Sequence, residues 1–152
     1  MKIGLNITEN IRVNINESMD DLISDLDNNN ISYRIPYSKT YNSAGVKIIL
    51  IESFGLEIKT NNNLIYSIRC SNVKLNRFMS LNSCDELNVL NALIKEITNN
   101  FGVEKKQITV SRFKVDNKNA VIIVQMMDKK VKISFVAKDR YISIEYIEVL
   151  DK

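Results

Sequence analysis

Ser83-Cys84-Asp85-Glu86-Leu87-Asn88-Val89-Leu90-Asn91-Ala92-Leu93-Ile94-Lys95-Glu96-Ile97-Thr98-Asn99-Asn100-Phe101-Gly102 reads as one helix from cap to stop. The Ser83 hydroxyl can accept a backbone N–H while Glu86 reaches back, the reciprocal pattern of a capping box. Leu87, Leu90, Ile94, Ile97 and Phe101 recur at helical spacing along one stripe, and Gly102 supplies the left-handed residue that ends the last turn. Four segments rich in β-branched residues follow: Gln107–Val115, Ala120–Met127, Val131–Ala137 and Tyr141–Val149. Asp116-Asn117-Lys118, Asp128-Lys129-Lys130 and Lys138-Asp139-Arg140 separate them as turns, so the second half reads as a helix and an antiparallel meander.

The first half shows the same order. Ile3, Leu5 and Ile7, then Ile11, Val13 and Ile15, alternate with polar residues as half-buried strands do. Asn16-Glu17-Ser18 offers caps, and Asp20 and Asp21 sit in the first turn, where the helix dipole favours anions. Met19, Leu22, Ile23 and Leu26 share one face of a short helix that Asn28-Asn29-Asn30 stops. A strand is expected near Ile31–Ile35, ending at Pro36, then an exposed loop over Tyr37–Gly45. Val46–Glu52, Leu56–Thr60 and Leu64–Ser71 complete a meander, broken at Ser53-Phe54-Gly55 and turned at Asn61-Asn62-Asn63. The expected fold class is α+β: two helix-plus-four-strand (αββββ) units with antiparallel sheets and one helix on each sheet face. Residues 1–72 would hold a strand pair and the first unit, and residues 73–152 the second. The two would share one core as a compact domain, by duplication or by convergent patterning.

The opening Ile11-Arg12-Val13-Asn14-Ile15-Asn16-Glu17-Ser18-Met19-Asp20-Asp21-Leu22-Ile23-Ser24-Asp25-Leu26, with the hairpin Gly55-Leu56-Glu57-Ile58 and Leu64-Ile65-Tyr66-Ser67-Ile68, resembles the β-lactamase-inhibitor-like and outer-membrane-assembly lipoprotein scaffold. The resemblance covers about half of the chain and carries no site residue across. It implies a scaffold that binds proteins without catalysis.

The zeros in the composition exclude more than the totals. The chain of 152 residues has no His, two Cys, four Gly and one Pro. Without His there is no Ser-His-Asp triad, Cys-His dyad, imidazole acid/base or His-containing zinc site. Two cysteines are too few for an all-cysteine zinc site, and Gly4, Gly45, Gly55 and Gly102 fit neither phosphate-cradling loop. The expectation is therefore a protein that is not an enzyme and carries no cofactor or metal. Asp20 and Asp21 read as helix-turn charges, and Glu52 with Glu57 as a solvated hairpin end. Twenty Asn and 22 Ile against four Ala follow AT-rich codons, pointing to a low-GC bacterium or its phage. The N-terminal residues lack the apolar core of a signal peptide, and the apolar runs are too short to span a bilayer. The expected location is cytoplasmic, where both thiols stay reduced.

Charge is uneven along the chain. Residues 1–72 carry 7 basic and 8 acidic side chains, and residues 73–152 carry 14 and 10. Ten of the basic ones lie in 102–140, including Arg112, Lys129, Lys130, Lys132 and Arg140, against four acidic. They read either as an anion-binding sheet end or as lysines that guard turns and edges against aggregation. The Tyr37–Gly45 loop is the other candidate surface, since Tyr gives large contact area at low entropy cost and Ser and Asn give adaptable hydrogen bonds. Arg34, Tyr37, Lys39, Tyr41 and Arg69 belong to that end. The functional expectation is a binding protein of inhibitor or immunity type that sterically blocks a protein partner, with Lys and Arg steering it toward an acidic target. The alternatives are an oligomeric sponge for an anionic, nucleotide-like small molecule and a nucleic-acid-binding accessory protein, whose affinity would fall steeply with salt.

Overall fold

The computed structural model describes residues 2–81, 85–114 and 118–150. β1 (Gly4–Asn6) and β2 (Arg12–Asn14) form a small antiparallel hairpin that leads into α1 (Met19–Asn28). A one-turn helix α2 (Lys39–Ser43) precedes β3 (Val46–Ile51), β4 (Leu56–Asn61), β5 (Leu64–Cys70) and β6 (Arg77–Ser80). α3 (Glu86–Phe101) then introduces β7 (Ile108–Lys114), β8 (Asn119–Met126), β9 (Lys129–Lys138) and β10 (Tyr141–Val149). The fold is α+β with antiparallel pairing throughout.

Where two sheets were expected, the meanders join into one eight-stranded sheet of order β3-β4-β5-β10-β9-β8-β7, with β6 also paired to β10. The joint is the last strand of the chain: Ser67, Ile68 and Arg69 of β5 face Glu148, Ile147 and Tyr146 of β10, and β6 continues the same line along the start of β10. One row makes the union continuous. Ile49, Ile58, Ile68, Ile147, Ile133 and Ile122 stand directly opposite one another across six strands, and every one is fully buried. β-Branched side chains suit this role because few rotamers are lost on a pleated surface. Ile3, Leu5, Ile7, Ile11, Val13 and Ile15 of the hairpin region, Met19, Leu22 and Leu26 of α1 and Val89, Leu93, Ile97 and Phe101 of α3 close the same hydrophobic cluster. Hairpin and helices thus bury one face of the sheet.

Local signals mostly fall where the residues put them. Ser18 caps α1 by accepting from the Asp20 N–H, and Asn30 ends it at φ 57°. Asn62 and Asn63 make the β4–β5 turn at φ 50° and 69°, conformations that asparagine tolerates better than most residues. Gly102 closes α3 at φ 64°. The capping-box Ser83 lies outside the described residues; Asp85 caps α3 by accepting from the Leu87 N–H. The buried stripe of α3 is Val89, Leu93, Ile97 and Phe101, rotated from the expected one: Leu90 and Ile94 flank it and Leu87 is 65% exposed. Ile97 and Phe101 belong to both stripes, and Phe101 stacks on Phe78 of β6 at 5.6 Å.

Two further expectations are corrected. The strand near Ile31–Ile35 shrinks to one bridge, in which Arg34 exchanges both backbone hydrogen bonds with Leu50 at the edge of β3. Pro36, which has no N–H, stops it from extending. The exposed loop Tyr37–Gly45 contains α2, capped by the Ser38 hydroxyl. α2 packs beside β3, so that edge of the sheet is shielded. The opposite edge, β7, pairs among the described residues only with β8 and is mostly exposed. β6, four residues of mixed character, has no alternation from which it could be read.

Gly4 is the tightest point of the hairpin. A methyl group there would overlap the Val13 carbonyl oxygen and lie 2.7 Å from Asn14 Cα. Gly4→Ala is expected to lower stability by about 1–3 kcal/mol, the usual range for overpacking, seen as a lower midpoint in urea unfolding.

Candidate functional site

The face of the sheet turned away from the hairpin and helices carries two cross-strand rows. One runs Leu50, Glu57, Arg69, Tyr146, Ser134, Val121, Arg112; the other runs Ile48, Lys59, Ser67, Glu148, Lys132, Ile123, Thr109. Apolar residues occupy the flanks of both rows. Charged and aromatic residues gather at the centre, where the two meanders meet.

Two bulges create that centre. In β5, Lys59 faces Ser67 and Thr60 faces Ile65, so Tyr66 is the extra residue. In β10, Ile144 faces Phe135 and Tyr146 faces Ser134, so Glu145 is extra. A bulge reverses which alternate residues face the core. Ile68 and Cys70 therefore follow Ile65 inward and leave Ser67 and Arg69 outside, while Ile147 and Val149 follow Ile144 inward and leave Tyr146 and Glu148 outside. Uninterrupted alternation would have buried Tyr146 with Ile142 and Ile144. The readable signal is the three-residue step between Ile65 and Ile68 and between Ile144 and Ile147.

Contacts at the centre are loose and mostly cationic on aromatic. The Arg69 guanidinium lies 4.5 Å from the centre of the Tyr146 ring, and Lys132 Nζ lies 5.6 Å from it. Further along β10, Arg77 stacks on Tyr141 at 4.1 Å. The Ser67 hydroxyl meets the Tyr146 hydroxyl at 3.4 Å. Lys132 reaches Glu148 at 3.8 Å and Lys59 reaches Glu57 at 3.8 Å. Partly solvated pairs of this length are worth about 0–1 kcal/mol, so the charges remain available to a partner. Burial pushes the Tyr66 hydroxyl above its ordinary ionisation range, and Tyr146, Glu148 and Tyr41 add to the effect. A groove of about 310 Å³ continues the surface between Leu50, Glu52, Glu57, Arg69 and Ser71.

Three of the sequence candidates converge here. Arg69 and Lys132 flank Tyr146, and Tyr41 of α2 lies 5.8 Å from Lys59 Nζ, which joins the Tyr37–Gly45 segment to the sheet face. Tyr37 and Lys39 are exposed beside it. Arg34 is already engaged by Glu52, with Nε at 2.7 Å and Nη2 at 2.6 Å from the carboxylate oxygen. Arg112 and Lys130 stand on the same face, farther out, opposite Val121 and Gln125. Lys129 turns the other way, donating to Asn16 Oδ1 at 3.1 Å, and Arg140 sits in the β9–β10 turn at the far end. The basic residues of 102–140 therefore divide between both ends of the strands and the outer face, because antiparallel strands send successive turns to opposite ends. Tyr66, Tyr146, Lys59 and Glu148 are site residues that sequence reading does not mark, and Glu57 is read there only as part of a solvated hairpin end.

Comparison of the chain with family models, curated proteins and solved structures finds no match. Among the described residues, no helix is long and apolar enough to cross a membrane.

Tyr66→Phe is expected to remove one ionisation from the part of an ultraviolet titration above pH 10.0, the ordinary tyrosine value. The raised value means that the folded chain disfavours tyrosinate relative to the unfolded chain. The stability tied to Tyr66 is thus complete below the ordinary value and is lost as pH rises through the raised one. Alkaline unfolding of Tyr66→Phe should accordingly begin at higher pH than that of the wild type.

Proposed function

We propose that the protein is a non-catalytic binding protein that docks the outer face of its sheet onto a protein partner and acts by covering it, as inhibitor and immunity-type proteins do. The observation that carries this reading is the cluster at the meander joint: Tyr66 and Tyr146 with Arg69, Lys132 and Lys59 on the face opposite the helices of the hydrophobic cluster. Tyr and Arg dominate interface hot spots because they combine large contact area with directed polar groups. The size is adequate. Seven strands at about 4.8 Å spacing and roughly 20 Å length span about 600 Å² in projection, close to the roughly 800 Å² per partner of a standard interface.

The cations that face outward, Lys59, Arg69, Arg112, Lys130 and Lys132, outnumber Glu57, Glu145 and Glu148, which favours an acidic partner surface and faster encounter at low salt. α2 extends the surface past β3 through Tyr41. The resemblance to inhibitor scaffolds points the same way, toward occupation of a partner and away from chemistry.

The test is quantitative capture from a bacterial lysate with three baits: wild type, Arg69→Ala/Tyr146→Ala, and Lys95→Ala on exposed α3. A partner retained by the wild type and by Lys95→Ala, and reduced at least about tenfold by the paired variant, is the expected result, since hot-spot truncations cost 2 kcal/mol or more. Equal capture by all three baits would remove the outer face from the mechanism.

A further inference from the structure

A second feature lies on the covered side of the sheet, away from the docking face. A cleft of about 110 Å³ opens between the β1–β2 hairpin, the end of α3 and β6. Asn6, Arg12, Arg77 and Asn100 form its polar wall, and Phe78 and Phe101 its apolar one. This volume is well below the roughly 300–1,000 Å³ of drug-sized sites, so the cleft suits a molecule of only a few atoms.

Arg12 dominates the chemistry. Its Nε donates to Asn14 Oδ1 at 2.7 Å, Nη1 to Asn6 Oδ1 at 3.3 Å and Nη2 to the Lys2 carbonyl at 3.4 Å. The guanidinium lies 5.9 Å from the centre of the Phe101 ring. A guanidinium has five N–H donors, so one remains on each Nη. Among the described residues no carboxylate is within ion-pair distance of it. Glu17, the nearby acid, is instead held by Asn14 Nδ2 at 2.8 Å and faces Lys2 at 3.9 Å. Burial accordingly holds the guanidinium below its ordinary basicity, and Glu17 only partly offsets this. A half-buried cation fixed by neutral amide oxygens, with an N–H to spare on each Nη, is suited to receive an anion.

We propose that this cleft binds a small carboxylate carried on a compact apolar group, the carboxylate on the two spare Arg12 donors and the apolar part against Phe78 and Phe101. Two free N–H groups match two carboxylate oxygens. Arg77, the other cation lining the cleft, lies over the Tyr141 ring at 4.1 Å and can add a second charge contact at the rim. The chemistry is shared by a free short-chain acid and by the C-terminus of a peptide ending in an aliphatic residue.

The probes are isovalerate, isovaleramide and a pentapeptide ending in leucine, titrated into the full ¹⁵N-labelled chain and followed by amide shifts. Isovalerate should shift the signals of Asn6, Arg12, Phe78, Asn100 and Phe101 saturably, and isovaleramide should bind at least about tenfold more weakly, the size of a lost charge-assisted hydrogen bond. Arg12→Gln should weaken isovalerate by a similar factor; if that variant does not fold, the acid–amide comparison on the wild type decides alone. Saturable shifts with the peptide assign the natural ligand to a chain terminus, and shifts with isovalerate alone assign it to a free acid. The inference is overturned if neither carboxylate moves these signals, or if the amide moves them equally.

Discussion

Six isoleucines in one cross-strand row hold the structure together. Ile49, Ile58 and Ile68 come from the first meander, and Ile147, Ile133 and Ile122 from the second. Burying each contributes about 1.5–3 kcal/mol before entropy is counted. The row is unbroken only because Ile68 meets Ile147, which ties the last strand of the chain to the middle of its first half. Contacts this distant in sequence are slow to form, since the loop must close before the pairing stabilises anything. The joint is thus the part of the fold that depends on all the others.

The same register decides what the outer face displays. For Ile68 and Ile147 to lie side by side in the core, both strands must slip by one residue, and the bulges at Tyr66 and Glu145 supply those slips. Arg69 and Tyr146 then come to stand opposite each other on the outside. Core packing and surface chemistry are in this sense one constraint: the residues that would dock a partner occupy the positions left over when the isoleucines align. The proposed docking surface sits on rigid strands, and only Tyr41 reaches it from a short helix.

Much of the fold was legible because local signals agreed. Ser18 and the asparagine run bounded α1, Gly102 ended α3, and β-branched runs marked β3–β5 and β7–β10 within a residue or two. The failures have physical causes. Ile31–Ile35 looked like a strand by composition, but Pro36 and the turn into α2 left room for one bridge. The stripe on α3 shifted because its apolar residues cover two adjoining faces, and packing on the sheet buries Val89 and Leu93 in preference to Leu87, Leu90 and Ile94. The centre of the candidate site was hidden by bulges, since strict alternation assigns Tyr146 to the core and Ile147 to solvent. Arg69 and Lys132 were marked by charge alone, and the aromatic rings beside them were not.

The two edges of the sheet differ in a way that bears on self-association. At β3, Arg34 fills the hydrogen-bonding positions of Leu50 and α2 packs alongside. At β7 the outer row of backbone groups faces solvent. A body with one adhesive end can pair with a twin and is then used up, whereas a fibre needs two such ends on every member. The single bridge at Arg34, a remnant of a strand, thus takes the β3 edge out of that kind of pairing.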